Sequence, residues 1–263
     1  WLEKSGRREE VVILSKCGHP DAMWNKRVNE KEMRKDLKKS LEELKTDYID
    51  IYMLHRDDPD TEVAVAVETF NAMHEEGNIG AFGASNWTHI RIEEANEYAY
   101  KHNLIPFSVS SPNFCLARQI EDPWGGGCVN ISGPENIEAR AWYEKNQMPV
   151  IAYASLGRGF FSGRMKSEYA DHASDYLDSF AMTGYACSDN FERLRRCEII
   201  AGKHGVTVAQ IAMNWIFSHP LNIFAIASMS KADRMKANRE ALLLQLSDEE
   251  ITYLDLKTPE FCR

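Results

Sequence analysis

Short apolar runs alternate with helical patterns along almost the whole chain, and this alternation most strongly limits the folds available to it. A strand buried on both faces needs a continuous apolar run, whereas a helix packed on one side has apolar residues three and four positions apart. Elements in this alternation form right-handed βαβ units and a parallel sheet. The predicted strands are 11–14, 48–54, 79–84, 106–111, 150–154 and 223–227.

The intervening segments carry the start and stop signals of helices. Gly77 is a typical stop signal at the end of the second helical pattern, and residues 112–134 form a long irregular stretch. No linker or composition shift divides the chain, so we expect one domain over residues 1–263. Polar capping residues mark four helix starts, namely Asn29 with Glu32, Thr207, Ser230 with Asp233, and Ser247 with Glu250.

The charge balance and the cysteines exclude several classes of protein. Lys and Arg number 31 against 40 Asp and Glu, and the net charge of −9 argues against a nucleic-acid partner. No apolar run approaches the ~20 residues that span a bilayer, and the first residues lack a signal-peptide core, so we expect a cytoplasmic protein without a membrane anchor. The six cysteines are scattered without a CxxC, which favours reduced thiols and no metal site and leaves disulfides open.

Polar residues recur where the predicted strands end. No GxGxxG or P-loop follows any strand, and Gly125–Gly127 has no strand before it, so a flexible loop is expected there. In a (β/α)8 barrel, the carboxyl ends of the strands form the rim that holds the active site. Any one of these residues has an ordinary alternative as a solvated or structural side chain. The polar strand ends are Lys16, His55, Ser85-Asn86, Ser110-Ser111, Tyr153 and Ser228.

Four segments resemble the aldo-keto reductases in the order of that family's motifs. They are 45–56 (KTDYIDIYMLHR), 83–87 (GASNW), 151–163 (IAYASLGRGFFSG) and 226–238 (IASMSKADRMKAN). The resemblance implies an α/β protein with a (β/α)8 TIM barrel. It also implies an oxidoreductase that binds NADP(H) and transfers a hydride to an aldehyde, ketone or sugar carbonyl.

Matching the motifs residue by residue gives each candidate a role. Lys16 matches the family's catalytic lysine and His55 its catalytic histidine. The family's proton donor is a tyrosine, whose pKa a nearby Lys⁺ lowers, while the histidine orients the substrate carbonyl.

The cofactor positions follow in the same way. Ser85 and Asn86 match the pair that binds the nicotinamide carboxamide, and Ser111 stands where the family usually has a glutamine. Tyr153 matches the aromatic ring that stacks on the nicotinamide. The remaining implied contacts are Leu156, Gly157 and Arg158 around the pyrophosphate, and Ser228, Ser230, Arg234 and Asn238 around the 2′-phosphate and adenine.

Two of the family's four catalytic residues, an Asp and the Tyr, normally lie upstream of the lysine. Only fifteen residues precede Lys16 here. The resemblance therefore predicts that the 263 residues cover about six of the eight βα units. A preceding segment of roughly 60 residues would supply the other two, together with the Asp and the Tyr. We expect the 263-residue chain alone to lack tyrosine-dependent reductase activity.

The substrate and the competing functions are less constrained. Trp24, Trp87 and Trp124 fall in predicted rim loops, where they would either stack on a substrate ring or pack within the loop. Segments 119–128 and 160–164 resemble a branch of the family near sugar-active oxidoreductases.

Two other functions compete with the reductase. One alternative is an inactive NADP(H)-binding barrel with a redox-sensing or regulatory role. Another is a hydrolase using Asp57 and Asp58, for which an acidic turn is the simpler interpretation. The expected partner is a small carbonyl compound, and exposed helices would permit an oligomer.

Overall fold

The structure, a computed structural model, describes residues 1–229 and 231–259. The chain divides into two compact units, Trp1–Ser111 and Pro112–Arg263. In each unit parallel strands alternate with helices. The expectation of one domain over residues 1–263 stays a prediction.

The first unit contains four parallel strands that pair in chain order. Its helices cover the sheet with their apolar sides, and Met33, Leu37 and Ile92 are fully or almost fully buried. The strands are β1 (Leu14–Cys17), β2 (Ile49–Leu54), β3 (Ile79–Ser85) and β4 (Val109–Ser111). The helices are α1 (Leu2–Ser5), α2 (Glu30–Leu44), α3 (Val63–Glu75) and α4 (His89–Lys101).

An aromatic cluster joins the sheet of the first unit to helix α3. Phe70 of α3 stacks on Phe82 of β3 with ring centroids 5.4 Å apart, and Phe107 meets Phe70 edge-on at 5.8 Å. All three rings are at most 2% exposed. This cluster fixes the helix on the sheet that carries the polar strand ends described below.

Strands β3 and β4 approach each other so closely at Gly83 that no side chain fits there. A Cβ on Gly83 would lie 1.8 Å from the carbonyl oxygen of Val109, its partner in the parallel register. Only glycine allows this spacing.

The second unit has two parallel strands and a larger set of helices. Leu194, Ile200, Ile211 and Ile216 form much of its core and are 0% exposed. The strands are β5 (Val150–Ala152) and β6 (Ile223–Ala225). The helices are α5 (Ile137–Asn146), α6 (Ser179–Tyr185), α7 (Ser188–His204), α8 (Val208–Phe217), α9 (Ala232–Ala241) and α10 (Asp248–Leu254).

The observed element boundaries correct several predictions. Lys16 lies within β1 and not after it, and the predicted strand 106–111 shortens to β4, because the backbone pairs with β3 only over its last residues. Reciprocal capping boxes start α8 at Thr207 and α10 at Ser247 as predicted, whereas Asn29 only accepts a bond from the Glu32 amide. Helix α9 begins at Ala232 after Lys231, and the proposed cap Ser230 lies outside the described residues.

Neither a membrane span nor a metal cluster is found in residues 1–229 and 231–259. No helix of this part is long and apolar enough to cross a bilayer, and no group of three His, Cys, Asp or Glu side chains is arranged to hold an ion. The five cysteines in the same part are free thiols, and three of them are buried.

Candidate active site and cofactor site

Lys16, Ser85 and Ser111 meet at the carboxyl ends of the strands in the first unit. The Lys16 ammonium donates to the hydroxyl oxygens of Ser85 at 3.1 Å and Ser111 at 3.3 Å. The two serines end β3 and β4 as direct register partners, and both are 0% exposed. The parallel register therefore brings together three side chains that are far apart in sequence.

The surroundings of Lys16 lower the pKa of its ammonium group. Burial, together with the positive charge of Arg56, lowers the pKa of Lys16 to about 8. Its hydrogen-bond partners are neutral hydroxyls, and no carboxylate among residues 1–229 and 231–259 forms an ion pair with it. Lys16 is thus still mostly protonated at neutral pH, yet it titrates close to the physiological range.

Asn86 holds the ends of three strands together. Its backbone has a φ of 60°, a left-handed conformation that Asn tolerates better than most residues. Its amide nitrogen donates to the His55 carbonyl at 3.0 Å and to the Ser85 hydroxyl at 3.2 Å. The Ser85 hydroxyl in turn donates to the Ser111 carbonyl at 2.8 Å. The residues predicted to bind the carboxamide therefore form one network with each other.

His55 follows β2 and is electrically neutral at physiological pH. Its backbone N–H donates to the Cys17 carbonyl at 2.7 Å, which extends the pairing of β1 and β2 by one residue. Burial lowers the pKa of His55 to about 3, and the cations Lys16 and Arg56 and the ring of His19 add to the effect. His19 meets His55 edge-on with ring centroids 4.6 Å apart. A neutral imidazole retains one N–H donor for a carbonyl oxygen.

The two aspartates after His55 and Arg56 are tied into the turn that leads to α3. Asp58 accepts the Lys26 ammonium at 2.6 Å and the Thr61 hydroxyl at 2.8 Å. Asp57 lies 3.5 Å from Arg91. These contacts agree with the acidic turn as the simpler interpretation of the pair. Sequence reasoning missed Arg56, whose charge affects both Lys16 and His55. Arg56 ends the 45–56 motif, but the resemblance assigned it no role.

The second unit contains a cavity of about 680 Å³ between the segment after β5 and helix α9. Gly157 and Arg158 both have left-handed backbones, with φ values of 56° and 55°, and turn the chain sharply after β5. Gly157 is buried and does not line the cavity. The predicted cofactor residues that do line it are Leu156, Arg158, Ser228, Arg234 and Asn238.

Three arginines contribute positive charge to this cavity. Arg234 is exposed on α9 one helical turn before Asn238, so the two side chains share a helix face, and Arg234 has no ion pair among the described residues. Arg158 is paired with Asp178 at 3.0 Å. Arg164, which the sequence analysis did not single out, lines the same cavity and donates to the Tyr176 carbonyl at 3.2 Å. The sequence signal that could have identified Arg164 is its position directly after Gly163, the last residue of the 151–163 motif.

The three tryptophans differ in their surroundings. Trp124 meets Tyr153 edge-on at 5.8 Å, and Arg158 lies 5.7 Å from the centre of the Trp124 ring, so these predicted residues are brought together. Trp24 is 57% exposed at a tight turn with a φ of 61°.

Of the two alternatives for Trp87, a ring in the substrate pocket or a ring packed within the loop, the structure supports the second. Its side chain is 1% exposed, packs on Phe107 at 5.5 Å and is covered by Arg91 at 5.1 Å. Trp87 therefore packs within the structure and cannot offer its face to a substrate.

Comparison with known proteins agrees with the sequence motifs. The profile of the Aldo/keto reductase family matches residues 1–258. Protein tas of Escherichia coli (strain K12) is 25% identical over 279 residues, covering 97% of this chain and 76% of that protein. Aldo-keto reductase yakc of Schizosaccharomyces pombe (strain 972 / ATCC 24843), named as NADP(+)-linked, is 26% identical and covers 95% of this chain and 70% of that protein.

A solved structure shows the same fold. It is a thermostable aldo-keto reductase in complex with the inhibitor epalrestat, with a TM-score of 0.69 and 24% sequence identity, covering 96% of this chain and 73% of that one. The fold is thus of the (β/α)8 barrel class, an α/β architecture built from βα units. The chain belongs to the aldo/keto reductase family and is an oxidoreductase.

Proposed function

We propose that this protein reduces the carbonyl group of an aldehyde, ketone or sugar with NADPH. The observation that carries the proposal is the network of Lys16, His55, Ser85, Asn86 and Ser111 at the strand ends of the first unit. It supplies a neutral imidazole N–H, an ammonium group with a lowered pKa and several hydroxyl and amide groups. These are the donors that a carbonyl oxygen needs as it gains negative charge.

The residues present fit NADP(H). Arg234 has no ion pair in the described chain, and its planar fork suits a 2′-phosphate ester, with Asn238 on the same helix face for the adenine end. Leu156 and Arg158 line the cavity where a pyrophosphate would lie. Ser85, Asn86 and Ser111 are the proposed partners of the carboxamide, and Tyr153 of the nicotinamide ring. When bound, NADPH supplies the hydride.

The catalytic residues of the first unit would act on the substrate oxygen. His55, neutral at physiological pH, donates its N–H to the carbonyl oxygen and fixes its direction. Lys16, with a pKa of about 8, stabilises the developing negative charge. It either releases its own proton or lowers the pKa of a tyrosine donor. The expectation that a preceding segment supplies an Asp and a Tyr stays a prediction.

One observation favours a second candidate, an NADP(H)-binding barrel without turnover. Lys16 bonds only to neutral hydroxyls in the part of the chain that the structure describes, and none of those residues was matched to the Asp or the Tyr of the family's four catalytic residues. Such a protein would bind the cofactor and report on its redox state to a partner. The two candidates share the cofactor site and differ only in chemistry.

The deciding experiment measures binding and turnover on the protein as purified from its source. NADPH binding is followed by nucleotide fluorescence and carbonyl reduction by the loss of absorbance at 340 nm with simple aldehydes, ketones and sugars. Binding with turnover that Lys16→Met removes supports the reductase. Binding without turnover supports the second candidate, and absence of binding contradicts both.

A further inference from the structure

A second histidine, His19, lies against His55 in the first unit. It follows the end of β1 by two residues, and its ring meets the His55 ring edge-on with the centroids 4.6 Å apart. His19 is exposed, whereas His55 is half-buried. A small molecule that binds at the His55 N–H therefore has the His19 ring as a neighbour on the solvent side.

The backbone around His19 is held by an ion pair between two other residues. Arg27 donates to the His19 carbonyl at 3.1 Å and pairs with Asp36 at 2.6 Å. Asp36 also accepts the backbone N–H of Gly18 at 3.0 Å. Gly18 turns the chain with a left-handed φ of 71°, which glycine adopts without strain. The position of His19 is therefore fixed before any ligand binds, as a recognition site requires.

A hydrogen bond to the next residue determines which nitrogen of His19 carries the proton. Nδ1 lies 2.7 Å from the Pro20 carbonyl oxygen. Because a carbonyl oxygen only accepts, Nδ1 is the donor, and Nε2 of the neutral ring is an unprotonated acceptor. Nε2 has no hydrogen-bond partner in residues 1–229 and 231–259. The structure thus places an unpaired acceptor on His19 beside the N–H donor of His55.

We propose that His19 accepts a hydrogen bond from a hydroxyl group on the carbon next to the carbonyl that His55 binds. This assignment rests on the proposed reductase function and narrows its substrate class to α-hydroxy aldehydes and α-hydroxy ketones. In these compounds the carbonyl oxygen needs a donor and the adjacent hydroxyl needs an acceptor, and the two imidazoles supply one of each. A carbonyl compound without that hydroxyl leaves Nε2 unpaired, which makes His19 a specificity-determining residue.

Two ketones of similar shape test this specificity in turnover. Hydroxyacetone and butanone differ in having a hydroxyl or a methyl group on the carbon next to the carbonyl. We expect the ratio of kcat/KM for hydroxyacetone over butanone to fall roughly tenfold in His19→Phe, which keeps an aromatic ring and lacks the acceptor. The intrinsic reactivities of the two ketones cancel in this comparison of proteins. His19→Gln, whose amide oxygen also accepts, should keep part of the preference. The control His102→Phe replaces an exposed histidine at the end of α4 and should leave the ratio unchanged.

Glycolamide and propionamide test the same recognition without turnover, because NADPH does not reduce an amide carbonyl. They differ by the same exchange of hydroxyl for methyl. Titrating each amide into protein with ¹⁵N-labelled histidines and NADPH gives both affinities by NMR. We expect glycolamide to bind roughly tenfold more tightly and to shift the Nε2 resonance of His19. Equal affinities, a preference that persists in folded His19→Phe, or a His19 ring protonated on Nε2 and not on Nδ1 would overturn the proposal. Circular dichroism and the melting temperature establish that the variants fold.

The two experiments together separate this proposal from the reductase function itself. Reduction of both ketones with the same ratio in the natural protein and in His19→Phe supports the reductase and removes the role of His19. Preferential binding of glycolamide that depends on His19, without reduction of either ketone, supports the role of His19 and counts against the reductase.

Discussion

Lys16 is a buried ammonium group bonded only to hydroxyl oxygens in the described chain. The pKa of Lys16 is near 10.5 in an unfolded chain and about 8 in the folded one, so the charged form is less stable in the folded state than in the unfolded state. The resulting loss of stability is about 3 kcal/mol at pH values below 8, and it disappears as the pH rises through 10.5. The buried charge of Lys16 thus destabilises the folded protein at the position that the proposed chemistry needs.

Replacing Lys16 by methionine should therefore stabilise the protein and inactivate it. The variant removes a buried charge while keeping most of the side-chain volume, so we expect a melting temperature several degrees higher at pH 7. The reductase rate should fall by a factor of ~100 or more. Differential scanning calorimetry and NADPH oxidation measure the two effects. Lys31→Met, at an exposed position, is the control for a lost charge, and a lower melting temperature for Lys16→Met would contradict the argument.

The pH dependence of turnover should report on Lys16 and not on His55. Because the pKa of Lys16 is about 8, kcat/KM should decline as the pH rises through that value. Because the pKa of His55 is about 3, no break is expected between pH 5 and 7. Steady-state rates across pH 5 to 10 test both statements. Lys16→Arg, which keeps its charge over this range, should lose the alkaline break, and a break that persists would assign it to another group.

The candidate site was predictable at residue level where a polar residue lies at the end of a strand. Lys16, Ser85 and Ser111 do come together, as strand-end residues of a parallel sheet should. Arg56 and Arg164 were missed because the family resemblance assigned no role to either, although Arg56 ends the 45–56 motif and Arg164 follows the 151–163 motif. The two alternatives for Trp87 stayed open because a sequence does not show which loop tryptophan is covered by a neighbouring arginine. Pairing partners and burial depend on tertiary contacts that local patterns do not encode.

At the scale of elements, the close contact of β3 with β4 sets the position of the site. Gly83 allows the two strands to approach two residues before Ser85, and Ser85 then aligns with Ser111 under the Lys16 ammonium. The distances between Lys16, Ser85 and Ser111 therefore depend on the absence of a side chain at Gly83.

Gly83→Ala should be strongly destabilising. A Cβ placed 1.8 Å from the Val109 carbonyl oxygen must push the strands apart and break their hydrogen bonds, which we expect to cost 3 kcal/mol or more (about the size of a severe overpacking). Urea unfolding measures the loss. Gly202→Ala is the matched control, because Gly202 lies inside α7 with no atom within 4 Å of an added Cβ. That variant should gain up to about 1 kcal/mol.

The order of the elements was also predictable from the sequence, and their ends were less so. Five of the six predicted strands overlap the observed ones over three residues or more, since continuous apolar runs identify strands that are buried on both faces. The first, predicted at 11–14, shares only Leu14 with β1. The predicted strand at 106–111 was too long, because β4 begins only at Val109 and apolar or small residues precede it. Helix α6 was missed, since its seven residues lie within a long predicted loop and are too few for a periodic pattern.

At the scale of the whole molecule, cofactor binding should appear as added stability. A ligand at one hundred times its dissociation constant stabilises the folded protein by about 2.7 kcal/mol. We therefore expect NADPH to raise the melting temperature by several degrees, and NADH to raise it less because it lacks the phosphate proposed for Arg234. Differential scanning fluorimetry with each nucleotide measures both shifts.

Arg234→Gln should bring the NADPH shift down to that of NADH. Arg239→Gln removes the same charge from another exposed position of α9 and should leave the NADPH shift nearly unchanged. Equal shifts for the two nucleotides in the natural protein would argue against a phosphate contact at Arg234.

The proposed cofactor-selecting residues lie on a helix of one compact unit, and the proposed catalytic residues lie at the strand ends of the other. The Arg234 side chain is exposed and has no hydrogen bond or ion pair in the described chain, so its replacement should disturb little packing. Gly83, Ser85 and Ser111 are locked by contacts that tolerate almost no change. Single substitutions on α9 can therefore change the coenzyme preference without loss of stability, while the network of Lys16, Ser85 and Ser111 stays unchanged. Variation among descendants should accumulate on α9 and be rare at the ends of β3 and β4.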